Sequence, residues 1–373
     1  MQVPVNEPLL DGNEKKYLIE CIETGWISSE GPFVKTFEEK LASYFNRKYG
    51  VAVCNGTIAI DIAIDALELQ AGDEIILPSF TIISCLAGLV RKGCIPIFID
   101  QNPATWNMEV SQIESKITSR TKAIMVVHIY GLPVDMDPVL SIAKKHNLKV
   151  IEDSAEMHGQ TYNGRKCGSF GDISTVSFYP NKHITTGEGG MIFTDDPKLA
   201  ERCKSLRNLC FIPERRFVHH ELGYNGRMTN MQAAIGLAQF ERVDQFIQKK
   251  RWIGALYQDL LKDLEMVVLP LAKTPYAENI YWVFGVVLKT EFPLDAQEVM
   301  SQLGKFGIGS RPFFWGLHEQ PVLKKLSFYK EERLPVCENL ARRGFYLPSG
   351  LALSESQIHF VVEKFKQVIR SNA

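Results

Sequence analysis

Between about residues 50 and 195 the chain alternates short, unbroken apolar runs with longer stretches of helical spacing. Val51-Ala52-Val53-Cys54, Glu74-Ile75-Ile76-Leu77, Ile95-Pro96-Ile97-Phe98-Ile99, Ala123-Ile124-Met125-Val126-Val127-His128 and Lys149-Val150-Ile151 lack the polar alternation of a half-exposed strand. They therefore predict strands covered on both faces, as a parallel sheet requires. Residues 57–69, 82–92, 109–117 and 137–146, lying between the runs, carry helical spacing. Strand–helix alternation of this kind predicts an α/β fold, a mostly parallel sheet flanked by helices.

Past residue 170 the pattern changes. Residues 173–179 and Gly190-Met191-Ile192-Phe193-Thr194 are closely spaced strand candidates joined by a glycine-rich loop. From about Thr229 to Leu261, apolar residues at Ala233, Ile235, Leu237, Phe240, Val243, Phe246 and Ile247 predict one long helix bridging two units. The remainder predicts a smaller α+β unit, with a strand over 282–288 and helices near 294–304 and 355–370. We expect a large domain over residues 1–245, including an N-terminal segment, and a small C-terminal domain over residues 246–373.

Composition narrows the function. The 373 residues carry 42 Lys plus Arg against 43 Asp plus Glu, a formal charge of −1, with no basic run. Such a balance offers no electrostatic footprint for nucleic acid or an anionic membrane. The first eight residues lack a basic region followed by an apolar stretch, and the apolar segment 75–90 is interrupted by Pro78 and Ser79. Eight scattered cysteines form no CxxC pair, which predicts reduced thiols rather than a disulfide frame or a metal site. The expectation is a cytoplasmic protein working on small molecules without a metal.

Three elements carry candidate chemistry. No GxGxxG or GxxxxGK[ST] follows the first strand; Asn55-Gly56-Thr57-Ile58 stands there instead, opening a helix. A helix N-terminus offers free N–H groups and a positive dipole end to a phosphate, although Thr57 could equally be a plain cap. Second, Ile151-Glu152-Asp153 puts an acid at the C-terminal end of a buried strand, where open α/β sheets bind ligands. Third, Lys182 lies in the loop Asn181-Lys182-His183-Ile184-Thr185-Thr186-Gly187-Glu188-Gly189-Gly190 between two apolar strands. In that order they supply what pyridoxal phosphate needs: a phosphate cradle, a carboxylate for the pyridine nitrogen and an amine for the aldehyde.

The same segments resemble the DegT/DnrJ/EryC1/StrS sugar aminotransferases, which are pyridoxal phosphate enzymes of fold type I. The resemblance spans nearly the whole chain, through Gly25-Trp26-Ile27-Ser28-Ser29-Glu30-Gly31, Gly223-Tyr224-Asn225-Gly226-Arg227-Met228-Thr229-Asn230 and Ser310-Arg311-Pro312-Phe313. Within the family the lysine loop is most similar to the GDP-perosamine synthase branch. It implies that Lys182 is the Schiff-base lysine and Asp153 the pyridinium partner. Gly56, Thr57, Ile58 and Ser177 would hold the phosphate, and Glu156 would face the cofactor's 3-hydroxyl. Asn225 would reach the phosphate of a neighbouring subunit, implying a homodimer with shared active sites. The position that often carries an aromatic ring against the pyridine is Ile82 here, with Phe80 two residues earlier. Pro180 and Gly226 also depart from the common pattern.

For the sugar nucleotide the candidates are His183, Arg227, Arg311, Trp315 and His318, since a diphosphate calls for cationic and hydrogen-bonding donors. The implied reaction moves an amino group from L-glutamate, by way of pyridoxamine phosphate, to C4 of a nucleotide-linked 4-keto-6-deoxyhexose. C3 amination and a dTDP or UDP carrier remain open. A sugar dehydratase of this family carries histidine where Lys182 stands, a non-enzymatic regulator could dispense with Lys182 and Asp153, and Arg311 could serve an amino-acid aminotransferase.

Overall fold

Helices α1 (Glu14–Thr24) and α2 (Pro32–Tyr44) precede the alternating region in the computed structural model, which describes residues 1–212, 214–326 and 331–372. Strand β1 (Tyr49–Val53) leads into α3 (Gly56–Ala66), and β2 (Glu74–Pro78) into α4 (Ser84–Lys92). Next come β3 (Ile95–Ile99), β4 (Thr121–Val127), α5 (Met136–His146) and β5 (Lys149–Asp153). A small hairpin of β6 (Thr161–Tyr162) and β7 (Arg165–Lys166) is followed by β8 (Ile173–Ser177), β9 (Gly190–Thr194) and α6 (Pro197–Arg207).

Seven strands form one sheet in the order β1-β9-β8-β5-β4-β2-β3. The neighbours from β8 to β3 pair in parallel, and β9 runs antiparallel between β8 and β1. Because β1 and β8 both oppose β9, the ends of β1, β5 and β8 emerge on the same side. All five residues of β2 and all but one of β4 are buried, which accounts for their unbroken apolar character.

Two predicted helices are corrected. Residues 109–117 form only two short 3₁₀ turns, Val110–Gln112 and Glu114–Lys116. Glu109 accepts from Ser111 Oγ (2.7 Å) and Asn102 Nδ2 (2.9 Å), and these local bonds compete with helix extension. The long helix is two: α7 (Asn230–Phe240) and α8 (Val243–Leu261). At the break Glu241 accepts from Asn13 (2.7 Å) and Tyr17 (2.6 Å), while Arg242 pairs with Asp11. Tertiary anchors to the N-terminal segment, invisible to periodicity, set the bend.

The second unit comprises β10 (Val267–Val268), β11 (Phe284–Leu288), α9 (Ala296–Lys305), β12 (Arg311–Pro312), α10 (Pro335–Arg343), β13 (Gly344–Leu347) and α11 (Glu355–Asn372). Its antiparallel sheet, ordered β10-β11-β13-β12, packs on α8, α9 and α11 through buried Tyr257, Phe284, Val299, Phe345 and Phe365. Each such side chain contributes on the order of 1.5–3 kcal/mol by leaving water. The first residues cross to this unit, where Val3 bridges to Ile308. No helix among the described residues is long and apolar enough to cross a membrane.

Candidate active site

The turn after β1 builds an anion cradle. Asn55, in extended backbone, caps α3 by accepting from Ile58 N (2.9 Å), whereas Thr57 Oγ1 instead lies 2.8 Å from Ser84 Oγ. The N–H groups of the first helical turn have no intrahelical acceptor, so their positive end opens into the space above the sheet. A Cβ on Gly56 would sit 2.8 Å from Ser177 Cβ, so only glycine lets the end of β8 lie against this turn. Gly190 serves the same closeness from β9, since a Cβ there would meet Asn55 O at 2.6 Å.

Asp153 closes β5 and is 3 % exposed. Its Oδ1 accepts from Ala155 N (3.0 Å) and its Oδ2 from Cys85 Sγ (3.4 Å). Burial pushes the carboxyl upward, opposed by the Ala155 N–H and by the charge of Lys182. On the opposite face of the strand, Glu152 accepts from His128 Nε2 (3.0 Å), Ser154 Oγ (2.9 Å), Gly168 N (2.6 Å) and Phe170 N (2.7 Å). Val134 N donates to His128 Nδ1 (3.0 Å), which leaves the imidazole proton on Nε2. Cys167 lies close to this pair, but with the carboxylate accepting four bonds and both ring nitrogens engaged, the cluster acts as a strut for β5.

Lys182 sits in the loop between β8 and β9, its side chain 10 % exposed. Its Nζ is 3.9 Å from Glu156 Oε1 and 3.7 Å from the centre of the Trp282 ring. Burial lowers the amine, and the nearby Glu156 and Asp153 oppose that fall. Burial also pushes the Glu156 carboxyl up to about 8, against the pull of Lys182 and of Tyr130 N, which donates to Oε2 at 2.7 Å. Burial thus disfavours the charged form of both the carboxyl and the amine.

These groups line one cleft of about 800 Å³, which brings together Gly56, Thr57, Ile58, Ile82, Asp153, Glu156, Ser177, Lys182 and Arg311. Phe80 lies outside it, fully buried against Tyr130, Phe313 and Phe314 beneath the loop that presents Ile82. His183 is buried behind Lys182, its ring 6.0 Å from that of His158. His318 is buried too, with Nδ1 2.7 Å from Ser79 Oγ, and Trp315 is exposed outside the cleft, with the Arg342 guanidinium 4.7 Å from its ring centre. Arg227 lines a second cleft with residues 25–30 and donates to Asn208, to whose backbone Asn225 also bridges. The lining also includes residues that belong to no motif: Trp282, Phe314 and Tyr346, and an Asp61–Arg91 pair at 3.0 Å. Aromatic residues in apolar runs look like core, and no local signal marks them.

The donor set fits pyridoxal phosphate. A helix N-terminus with the Thr57 and Ser177 hydroxyls suits a phosphate. A buried carboxylate whose Oδ2 has only a thiol donor suits a protonated ring nitrogen, and a desolvated lysine suits an aldehyde.

Comparison with known proteins gives concordant results. The model of the "DegT/DnrJ/EryC1/StrS aminotransferase family" matches residues 8–366. A GDP-perosamine synthase of Escherichia coli O157:H7 is 41% identical over 365 residues, covering 98% of each chain. Another from Caulobacter vibrioides is 41% identical over 368 residues, covering 99% of this chain and 98% of the relative. Among solved structures, an aminotransferase from Psychrobacter cryohalolentis superposes with a TM-score of 0.91 at 28% identity, covering 98% of both chains.

Proposed function

Because the chain belongs to the DegT/DnrJ/EryC1/StrS aminotransferase family, we propose that it transfers an amino group from L-glutamate to C4 of a GDP-linked 4-keto-6-deoxyhexose. The observation that carries this reading is the convergence of Lys182, Asp153 and the Gly56 helix end on one cleft. When bound, pyridoxal phosphate supplies the carbonyl that carries the amino group between donor and acceptor and a ring that withdraws electrons from the reacting carbon.

The chain's own residues do the rest. Gly56, Thr57, Ile58 and Ser177 hold the phosphate at the start of α3. Asp153 Oδ2 holds a proton at the ring nitrogen, and its burial strengthens that attraction. Lys182 Nζ accepts the donor's α-proton and later delivers a proton to C4 of the sugar, a task suited to an amine whose burial brings it towards neutrality. Arg311, on the rim of the cleft, offers a fork to the donor carboxylate or the diphosphate. His183 and His318, being buried, act on the sugar only through the loops they brace.

The working unit we propose is a homodimer. Asn225 and Arg227 do not line the cleft of their own chain, exposed Trp26 and Ile27 line the second cleft beside Arg227, and Phe217 and Leu222 are exposed as well. Mixing Lys182→Ala with Asn225→Ala protein tests it: shared sites regain activity on mixing, and unshared sites do not. Eight unpaired cysteines support a reducing, cytoplasmic setting.

The substrate assay incubates the holoenzyme with glutamate and 4-keto-6-deoxyhexoses linked to GDP, dTDP or UDP and follows amine formation by mass. Turnover of the GDP sugar alone supports the reading; turnover of another carrier alone, or of none, refutes it.

A further inference from the structure

We propose that Lys250 is a positioning residue for Lys182 and acts through Trp282. This rests on the reading of Lys182 as the cofactor lysine. Lys250 projects from α8 and is 1 % exposed. Its Nζ donates to the backbone carbonyls of Trp282 (2.8 Å) and Ser349. Among the described residues no carboxylate pairs with it, and burial together with the charge of Lys182 pulls its amine down to about 7. An apolar side chain of equal length would avoid the cost of burying an amine, so what Lys250 adds is the pair of hydrogen bonds.

Those bonds lead to the catalytic loop by two routes. Trp282 is fixed at its carbonyl by Lys250, its indole Nε1 donates to Asn181 O (2.8 Å), and its ring face lies 3.7 Å from Lys182 Nζ. Ser349 N donates to Val5 O (3.0 Å), and the adjacent Asn6 Nδ2 donates to Pro180 O (3.0 Å). Residues 180–182 are thus clasped from the second unit, with Lys250 tying both arms. The groups coupled to Lys182 are Glu156, Asp153 and Cys85, with His158 and His183 behind the loop; those coupled to Lys250 are Lys182 and His183.

The test reads the visible absorption of the holoenzyme, without substrates, from pH 5.5 to 10. It yields the midpoint at which the lysine-bound cofactor loses its proton. Lys250→Met removes the hydrogen bonds to the carbonyls of Trp282 and Ser349. The ring then slackens from the positive nitrogen, and the midpoint falls by about 0.5–1 pH unit, a threefold to tenfold loss of proton affinity. Trp282→Leu lowers it at least as far, and the double variant goes no further than Trp282→Leu alone. Lys250→Gln, which is shorter and keeps at most one of the two bonds, also lowers the midpoint, though by less, and replaces the Met variant should that one not fold. An unmoved midpoint in the Lys250 variants, or additive shifts in the double variant, overturns the proposal. A wild-type holoenzyme with no such band overturns the Lys182 reading beneath it.

Discussion

Replacing Glu156 by glutamine should make the cofactor-free protein more stable at alkaline pH. Glu156 is buried beside Lys182, and its carboxyl is raised from 4.5 to about 8. Folding therefore makes this group take up a proton that the unfolded chain has already released above pH 4.5, and stability drains away as the pH climbs towards 8. At about 1.36 kcal/mol per pH unit, the 2.5 units between 4.5 and pH 7 correspond to roughly 3 kcal/mol. Glutamine keeps the acceptor for Tyr130 N and has nothing to titrate. At pH 5 the raised carboxyl is itself neutral, so Lys182 has no anion at position 156 in either protein and the two differ little there. Urea unfolding of dialysed apoprotein at pH 5, 7 and 8.5 measures the difference. We expect wild type to match the variant at pH 5 and to fall behind it by about 2–4 kcal/mol at pH 8.5. Parallel pH dependences, or a variant that is weaker at pH 8.5, would refute the reasoning.

Other perturbations probe the remaining parts of the cleft. Asp153→Asn should still bind pyridoxal phosphate yet slow the glutamate half-reaction by about 10²–10³, the usual loss when a charge-stabilising group is removed; stopped-flow rates equal to wild type would reduce the acid to a turn cap. Gly56→Ala places a methyl 2.8 Å from Ser177 Cβ, so cofactor affinity measured by fluorescence titration should drop at least about tenfold, and unchanged affinity would remove the cradle from the phosphate site. Arg311→Ala should raise KM for glutamate or the sugar nucleotide with circular dichroism unchanged; wild-type KM for both would dismiss it as a rim charge.

The large sheet was legible because its strands are buried on both faces, and buried parallel strands announce themselves as uninterrupted Val and Ile. Asp153 and Lys182 stand out only in combination: an acid ending a strand is often a cap and a loop lysine is commonly a solvated charge, but together with Asn55-Gly56-Thr57, in that order, they match the parts one cofactor needs. What escaped depended on distant contacts. The break between α7 and α8 comes from Asn13, Tyr17 and Asp11, more than 200 residues away. His318 and Trp315 share a segment with Arg311, but the chain turns after β12, so that His318 packs on Ser79 while Arg311 reaches the cleft. Trp282 reads as the first residue of a buried strand, and only the fold puts its ring against Lys182. Helices α1 and α2 precede the region of strand–helix alternation, so the pattern that predicts the sheet does not reach them.

Amino-group transfer in this cleft requires that Lys182 Nζ be covalently joined to the cofactor in the resting enzyme. Reduction of the holoenzyme with borohydride, followed by proteolysis and peptide mass spectrometry, tests this directly. A single phosphopyridoxyl adduct, on Lys182, is expected; an adduct on Lys250 or another lysine, or none on Lys182 in fully loaded protein, would rule out Lys182 as the cofactor lysine.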